Sequence, residues 1–190
     1  MRAAGAAIEA TDLVIGGQVG TAFCSVRPPG HHAEREAAMG FCFFNNVAVG
    51  IRHALDVHGL TRVALIDFDV HHGNGTQAYF EADGGLFYAS SHQSPCYPGT
   101  GQEWERGAAN NVVNAPLAPG SGSAAFRNAW AGVIIPALDR FAPELLMVIS
   151  PEPLSLATRP AARVCAFAWN AAFNVVMSAA SVPVAVKHRC

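Results

Sequence analysis

The chain has 190 residues, a net charge of −2, 51% apolar and 14% charged residues, enough for one domain with a sizeable buried core. That charge excludes a nucleic-acid binder steered by bulk charge, which needs a basic patch. No apolar run reaches the length of a membrane span.

The predicted elements alternate. An Ala-rich helix over residues 3–15 is stopped by Gly16 and Gly17. A short buried strand covers 21–26, and Pro28-Pro29-Gly30 turns 27–34 into a loop. The apolar stretch 40–44 is Gly-bounded and also reads as loop. Asn45 caps a helix running to about His58, with Gly59 just past its end. Residues 63–66 form a strand covered on both faces, as in a parallel sheet. A helical turn at 76–81, a strand at 86–91 and a long loop at 92–111 follow. Residues 112–117 read as an edge strand. Ser123 caps a helix to about Phe141, bent near Pro136, and 144–150 is the last clear strand. Strands alternating with helices indicate a parallel α/β sheet. After Ser150 the character changes. Pro151-Glu152-Pro153 breaks the strand exit, and the Ala- and Val-rich run 161–186 reads either as a helix packed on the sheet or as sequence foreign to this fold. The division expected is a partial α/β domain at 1–150 and a divergent tail at 151–190.

The stretch VALIDFDVHHGNGT, residues 63–76, carries the chemistry. While the chain stays extended, side chains alternate, placing Asp67, Asp69 and His71 on one side and Phe68 and Val70 on the other. Ligands of open α/β sheets bind at that end of the strand. Carboxylate oxygen and imidazole nitrogen suit a divalent metal, zinc above all. His31 and His32, adjacent on the Pro-Pro-Gly loop, suit a general base and its acid or electrostatic partner beside a metal. Asp67 and Asn74, at the same strand end, are placed to orient them. Five scattered cysteines without CxxC spacing fit free thiols in a reducing compartment. With no signal peptide at the N-terminus, a cytoplasmic location is expected.

The segments RPPGHHA, GFCFFNN, ALIDFDVHHGNGTQ and YPGTG resemble the zinc-dependent histone deacetylase superfamily over residues 6–150. The Asn of HHGNGTQ is closer to class II deacetylases and bacterial acetylpolyamine amidohydrolases than to class I, which carries Asp there. The resemblance implies a three-layer, arginase-like α/β fold, here incomplete. It also implies metal-assisted hydrolysis of an acetyl-amide on lysine or a polyamine. Asp69 and His71 would be zinc ligands. His31 and His32 would be the catalytic pair, with His32 the general base; Asp67 would orient His31 and Asn74 would contact His32. Gly40 would accept the substrate amide through its carbonyl, and Phe41 and Tyr97 would wall a narrow tunnel. Tyr97 stands where the family usually has Phe, which makes the tunnel more polar. Asp67, Asp69, His71, Ser90 and Ser91 would supply a potassium site.

Three family features have no counterpart here: the segment before residue 6, the Ser-Ala-Gly-Phe-Asp-Ala-His motif with the third zinc ligand, and the later Gly-Gly-Tyr whose hydroxyl stabilises the oxyanion. They imply a chain truncated at both ends, and the abrupt change after Ser150 suggests a frameshift, a damaged gene or a misjoined reading frame. The alternative reading is thus a catalytically inactive, deacetylase-like fragment. A dinuclear manganese hydrolase of the arginase type is a third, but it needs further Asp ligands and lacks the RPPGHH loop.

Overall fold

The computed structural model describes residues 1–150 and the backbone of the strand 173–179. The expected strand break at Pro151-Glu152-Pro153 lies outside the described residues. Six strands form one sheet: β1 (Thr21–Val26), β2 (Val63–Asp67), β3 (Leu86–Gln93), β4 (Val112–Leu117), β5 (Leu145–Ser150) and β6 (Phe173–Ala179). Their order is β1-β6-β5-β2-β3-β4, which makes β4 an edge as expected. Strands β5, β2, β3 and β4 pair in parallel, while β6 pairs antiparallel with both β1 and β5. The sheet is therefore mixed. Within the run 161–186, neither reading anticipated a strand at Phe173–Ala179 seated inside the sheet.

Strand alternation divides the core into two layers. On one face Val63, Leu65, Leu86, Tyr88, Val112, Leu145 and Met147 pack with Ala7, Ala10 and Val14 of α1 (Arg2–Ile15) and Val47, Ile51 and Ala54 of α2 (Asn46–Asp56). On the other, Ala64, Ile66, Phe87, Ala89 and Val113 meet Ile134, Ala137 and Leu138. Every residue of β2 is buried, as its unbroken apolar run demands. β1 differs: only Cys24 is buried and Phe23 is 48% exposed, so its alternation is that of a half-covered strand.

Asn45 caps α2 as expected, its side chain accepting from the Ala48 N–H at 3.1 Å. Helix α3 (Asn74–Phe80) starts two residues earlier than read. The expected helix 123–141 is α4 (Ser123–Ala129) and α5 (Ile135–Phe141), joined by a π-helical turn at Trp130–Ile134. The irregularity falls just before Pro136, which cannot donate to the preceding turn. Ser123 is the first helical residue, not the cap; Gly122 holds that position without a side-chain bond.

Candidate active site

The site is assembled where β2 and β3 end, on the face that packs α1 to α3. Strand β2 stops at Asp67 instead of continuing extended to His71. Asp67 Oδ1 accepts the Asp69 N–H at 3.0 Å, and Asp69 Oδ1 accepts the His71 N–H at 2.8 Å. These side-chain-to-backbone bonds coil the chain into turns. Asp69 and His71 still meet, for a different reason than strand alternation: His71 Nδ1 lies 3.2 Å from Asp69 Oδ1. Asp69 is buried and the His71 side chain is 40% exposed.

The loop after β1 brings the histidine pair over this turn. It is tied down by Asn46 Nδ2 donating to the Pro28 carbonyl at 3.0 Å and by the Thr76 N–H donating to the His31 carbonyl at 3.0 Å. His31 and His32 are both buried, with ring centroids 4.0 Å apart. Each has its own orienting partner. His31 Nδ1 is 2.9 Å from Asp67 Oδ2, and His32 Nδ1 is 2.9 Å from Asn74 Oδ1. Asn74 Nδ2 donates to Glu34 Oε1 at 2.6 Å. A carboxylate only accepts, so the amide orientation is fixed and Asn74 Oδ1 must receive an N–H from His32. The lone pair of His32 is thereby left on Nε2.

The electrostatics push the two imidazoles apart. Burial opposes charge on His31, but the charge and hydrogen bond of Asp67, with Asp69 behind it, outweigh burial and raise its pKa. Burial and the neighbouring His31 charge push His32 down to about 4, against the hydrogen bond to Asn74. One member favours holding a proton and the other favours lacking one, a division that suits acid–base work. Burial presses the Asp69 carboxyl upward, yet bonds from His71 and the charge of His31 hold it below the usual carboxylate range.

Gly40 and Gly73 are the glycines on which this packing depends. Gly40 has φ +56, and a Cβ there would overlap the His32 ring. A Cβ on Gly73 would lie 2.5 Å from Asp67 Oδ2, 2.9 Å from the Tyr88 hydroxyl oxygen and 3.1 Å from His31 Nδ1. The Gly40 carbonyl receives the Cys42 Sγ–H at 3.4 Å. Phe41 follows with φ 61, an unusual conformation for a bulky residue, and its side chain is 74% exposed. Tyr97 stands edge-on to His32 and His71, at centroid distances of 5.0 and 6.0 Å. The register sets Asp67 beside Ser90, both fully buried. Ser91 faces the other layer, where its hydroxyl accepts from Trp130 Nε1 at 3.0 Å.

Sequence reasoning missed a second buried network. His72 Nε2 donates to Gln77 Oε1 at 2.9 Å, while its Nδ1 faces the Thr100 hydroxyl at 2.7 Å. His92 bridges the Ser90 hydroxyl and the Gly101 carbonyl, each at 2.9 Å. Glu105 accepts from Gln77 Nε2 at 2.6 Å and from the Gln102 N–H at 2.8 Å. The signal was present, since Thr100 and Gly101 belong to YPGTG and His72 and Gln77 to HHGNGTQ. The two segments are held together through these imidazoles.

A zinc ion fits Asp69 and His71 in donor type and spacing. Two ligands about 2.0–2.1 Å from a tetrahedral ion stand roughly 3.3 Å apart, close to the observed 3.2 Å. Among the described residues no third His, Cys, Asp or Glu completes a ligand group with them.

The histone deacetylase domain family matches residues 1–150. The chain belongs to the histone deacetylase family. It is 48% identical over 153 residues to histone deacetylase 10, chloroplastic, of Oryza sativa subsp. japonica, covering 76% of this chain and 34% of that one. To the histone deacetylase-like amidohydrolase of Pseudomonas aeruginosa it is 46% identical over 152 residues, covering 77% and 40%. Among solved structures, an acetylpolyamine aminohydrolase from Burkholderia pseudomallei superposes with TM-score 0.67 at 38% identity, covering 76% of this chain and 43% of that one. The HDA15 HD domain superposes with TM-score 0.73 at 38% identity, covering 77% and 44%. The chain spans less than half the length of each of these four relatives. The likeness to deacetylase structures identifies the α/β architecture as the deacetylase fold.

Proposed function

We propose that this deacetylase-family chain carries a zinc-dependent amidohydrolase centre that removes acetyl groups from acetyl-lysine side chains or acetylpolyamines. The observation that carries the reading is the split His31/His32 pair, each ring fixed by its own partner, beside the Asp69–His71 donor pair. Asp69 and His71 are two of the zinc ligands. When bound, zinc supplies Lewis-acid polarisation of a carbonyl and lowers the pKa of water. His32, unprotonated at neutral pH with Nε2 free of its hydrogen, accepts the proton of the attacking water. His31, whose proton is favoured by Asp67, stabilises the charged pair and supports proton return to the leaving amine. Tyr97 and exposed Phe41 flank a slender acyl arm, and the Gly40 carbonyl accepts its amide N–H. Asp67 and Ser90, buried side by side, belong to the potassium site, to which Asp69, His71 and Ser91 contribute from the flanking chain. The setting proposed is cytoplasmic, supported by free thiols at Cys24, Cys42 and Cys96.

The test is acetate release from an acetyl-lysine peptide and from an acetylpolyamine by the zinc-loaded chain. His32→Ala should lower kcat about 10²- to 10⁴-fold, the range of general acid–base assistance. An equal rate in the variant overturns the assignment of His32. A second reading, a deacetylase-like chain without catalysis, is favoured by one observation: the described residues give the metal two ligands, where a catalytic zinc ordinarily has three. It expects no acetate release from either substrate.

A further inference from the structure

Away from the strand-end site, α1 and α2 bring together three ligand-bearing side chains that the deacetylase reading does not use. Asp12 lies near the end of α1, His53 in the last turn of α2, and His58 just beyond it. His53 Nε2 and His58 Nε2 stand 2.6 and 2.7 Å from the same atom, Asp12 Oδ1. All three ligand atoms lie within 4.8 Å of one another, the sole such group of three or more His, Cys, Asp or Glu among the described residues. We propose that Asp12, His53 and His58 form a second metal site, for a transition-metal dication of the zinc class, that clips α1 to α2.

The chemistry of the donors carries it. Two imidazoles and one carboxylate are a recurrent set for zinc and its neighbours, and they leave positions for water. Both rings point the same nitrogen at one oxygen, so each must present an N–H there. A dication replaces these two hydrogens: each neutral ring moves its single proton to Nδ1 and offers the Nε2 lone pair. The protein loses no net proton in that exchange. Opening the two contacts to Asp12 from 2.6 and 2.7 Å to the roughly 3.3 Å between ligands of a tetrahedral ion needs shifts of about 0.6–0.7 Å. The Asp12 side chain is 48% exposed and the histidines 19% and 22%, so the side chains have room and water has access. The site is distinct from the hydrolytic centre. The start of α2 reaches that centre through Asn45, whose Nδ2 donates to Thr76 Oγ1 at 3.1 Å. His53 lies seven residues beyond the start of the helix, roughly 11 Å along its axis at about 1.5 Å per residue.

The test is a zinc chloride titration of the full chain, followed by calorimetry and by the histidine ring resonances, compared with His53→Ala and His58→Ala. Both substitutions are at part-exposed positions, and the comparison needs no change at Asp69 or His71. The expected result is a zinc equivalent beyond the one at Asp69 and His71, and the affinity of that additional equivalent falls at least tenfold in either variant, as loss of a ligand should exceed the 10- to 100-fold cost of losing a mere orienting partner. Zinc should shift the His53 and His58 resonances together and raise the melting temperature of the unaltered chain more than that of His58→Ala. Identical titrations in all three proteins, or zinc binding that leaves both rings unshifted, would overturn the proposal and leave the cluster as a hydrogen-bonded group.

Discussion

At the scale of the residue, buried imidazoles govern how this molecule responds to acid. His92 is held neutral between Ser90 and Gly101, and burial lowers its pKa; His72, buried beside it with His92 as a like-charged neighbour, is pushed down to about 3. A depressed folded pKa means that stability is present above the ordinary histidine value and is lost as pH falls toward the folded one. Each such histidine contributes at most about 1.4 kcal/mol of lost stability per pH unit below about 6.5. Urea denaturation between pH 7 and 4 should show this decline, and His92→Gln should flatten it; an unchanged slope in the variant would count against His92. Asn74 is the second residue on which much rests, since it orders His32 and donates to Glu34. Asn74→Ala leaves a buried N–H of His32 unpaired and should cost about 1–3 kcal/mol, read as a lower denaturation midpoint. The residues of this site were legible because their types are unusual together at a strand end. The second network was legible only in part: His72 and Gln77 share one motif, but only the fold brings Thr100 to His72 and Glu105 to Gln77.

At the scale of the element, turns rather than strands shape the site. Period-two alternation gave the right grouping of Asp69 with His71 by the wrong geometry, since an aspartate competes with the sheet for backbone N–H groups two residues on. Gly73, opening the turn into α3, tests that packing. Gly73→Ala puts a methyl group among Asp67, Tyr88 and His31, and overpacking of this kind typically costs about 1–3 kcal/mol. Loss of the His31–Asp67 contact should accompany it, seen as a shift of the His31 ring resonances; an unperturbed ring and unchanged stability would contradict the packing described. Asn45→Ala removes the cap of α2 and should cost about 1 kcal/mol, with helix content reduced locally and the core retained. Asn45 was legible as a cap, from an Asn ahead of an apolar-periodic run. Ser123 looked equally apt, but Gly122 took the extended cap conformation and left the hydroxyl unused.

At the scale of the whole molecule, the parallel pairing of β5, β2, β3 and β4, though not their order, followed from strands alternating with helices, and each of these strands was legible within a residue or two. The place of β6 was not. Its antiparallel pairing with β1 and β5 joins elements far apart in sequence, and weak periodicity gave no register. Val175 is paired with Cys24 on one side and Ile149 on the other. Val175→Pro removes a ladder donor inside the sheet, where proline is essentially not tolerated, and should broaden or abolish cooperative unfolding by circular dichroism. A sharp transition at the parent temperature would argue that β6 adds nothing to the sheet.

The most direct test of the central claim, that Asp69 and His71 with the histidine pair form a zinc amidohydrolase centre, joins metal content to turnover in one preparation. Zinc and released acetate would be measured for the full chain and for Asp69→Ala on acetyl-lysine and acetylpolyamine substrates. The account expects the full chain to release acetate in proportion to bound zinc, and Asp69→Ala to lose one zinc equivalent and all turnover. Zinc content and acetate release unchanged by Asp69→Ala, or a zinc-loaded chain that releases no acetate from either substrate, would contradict it.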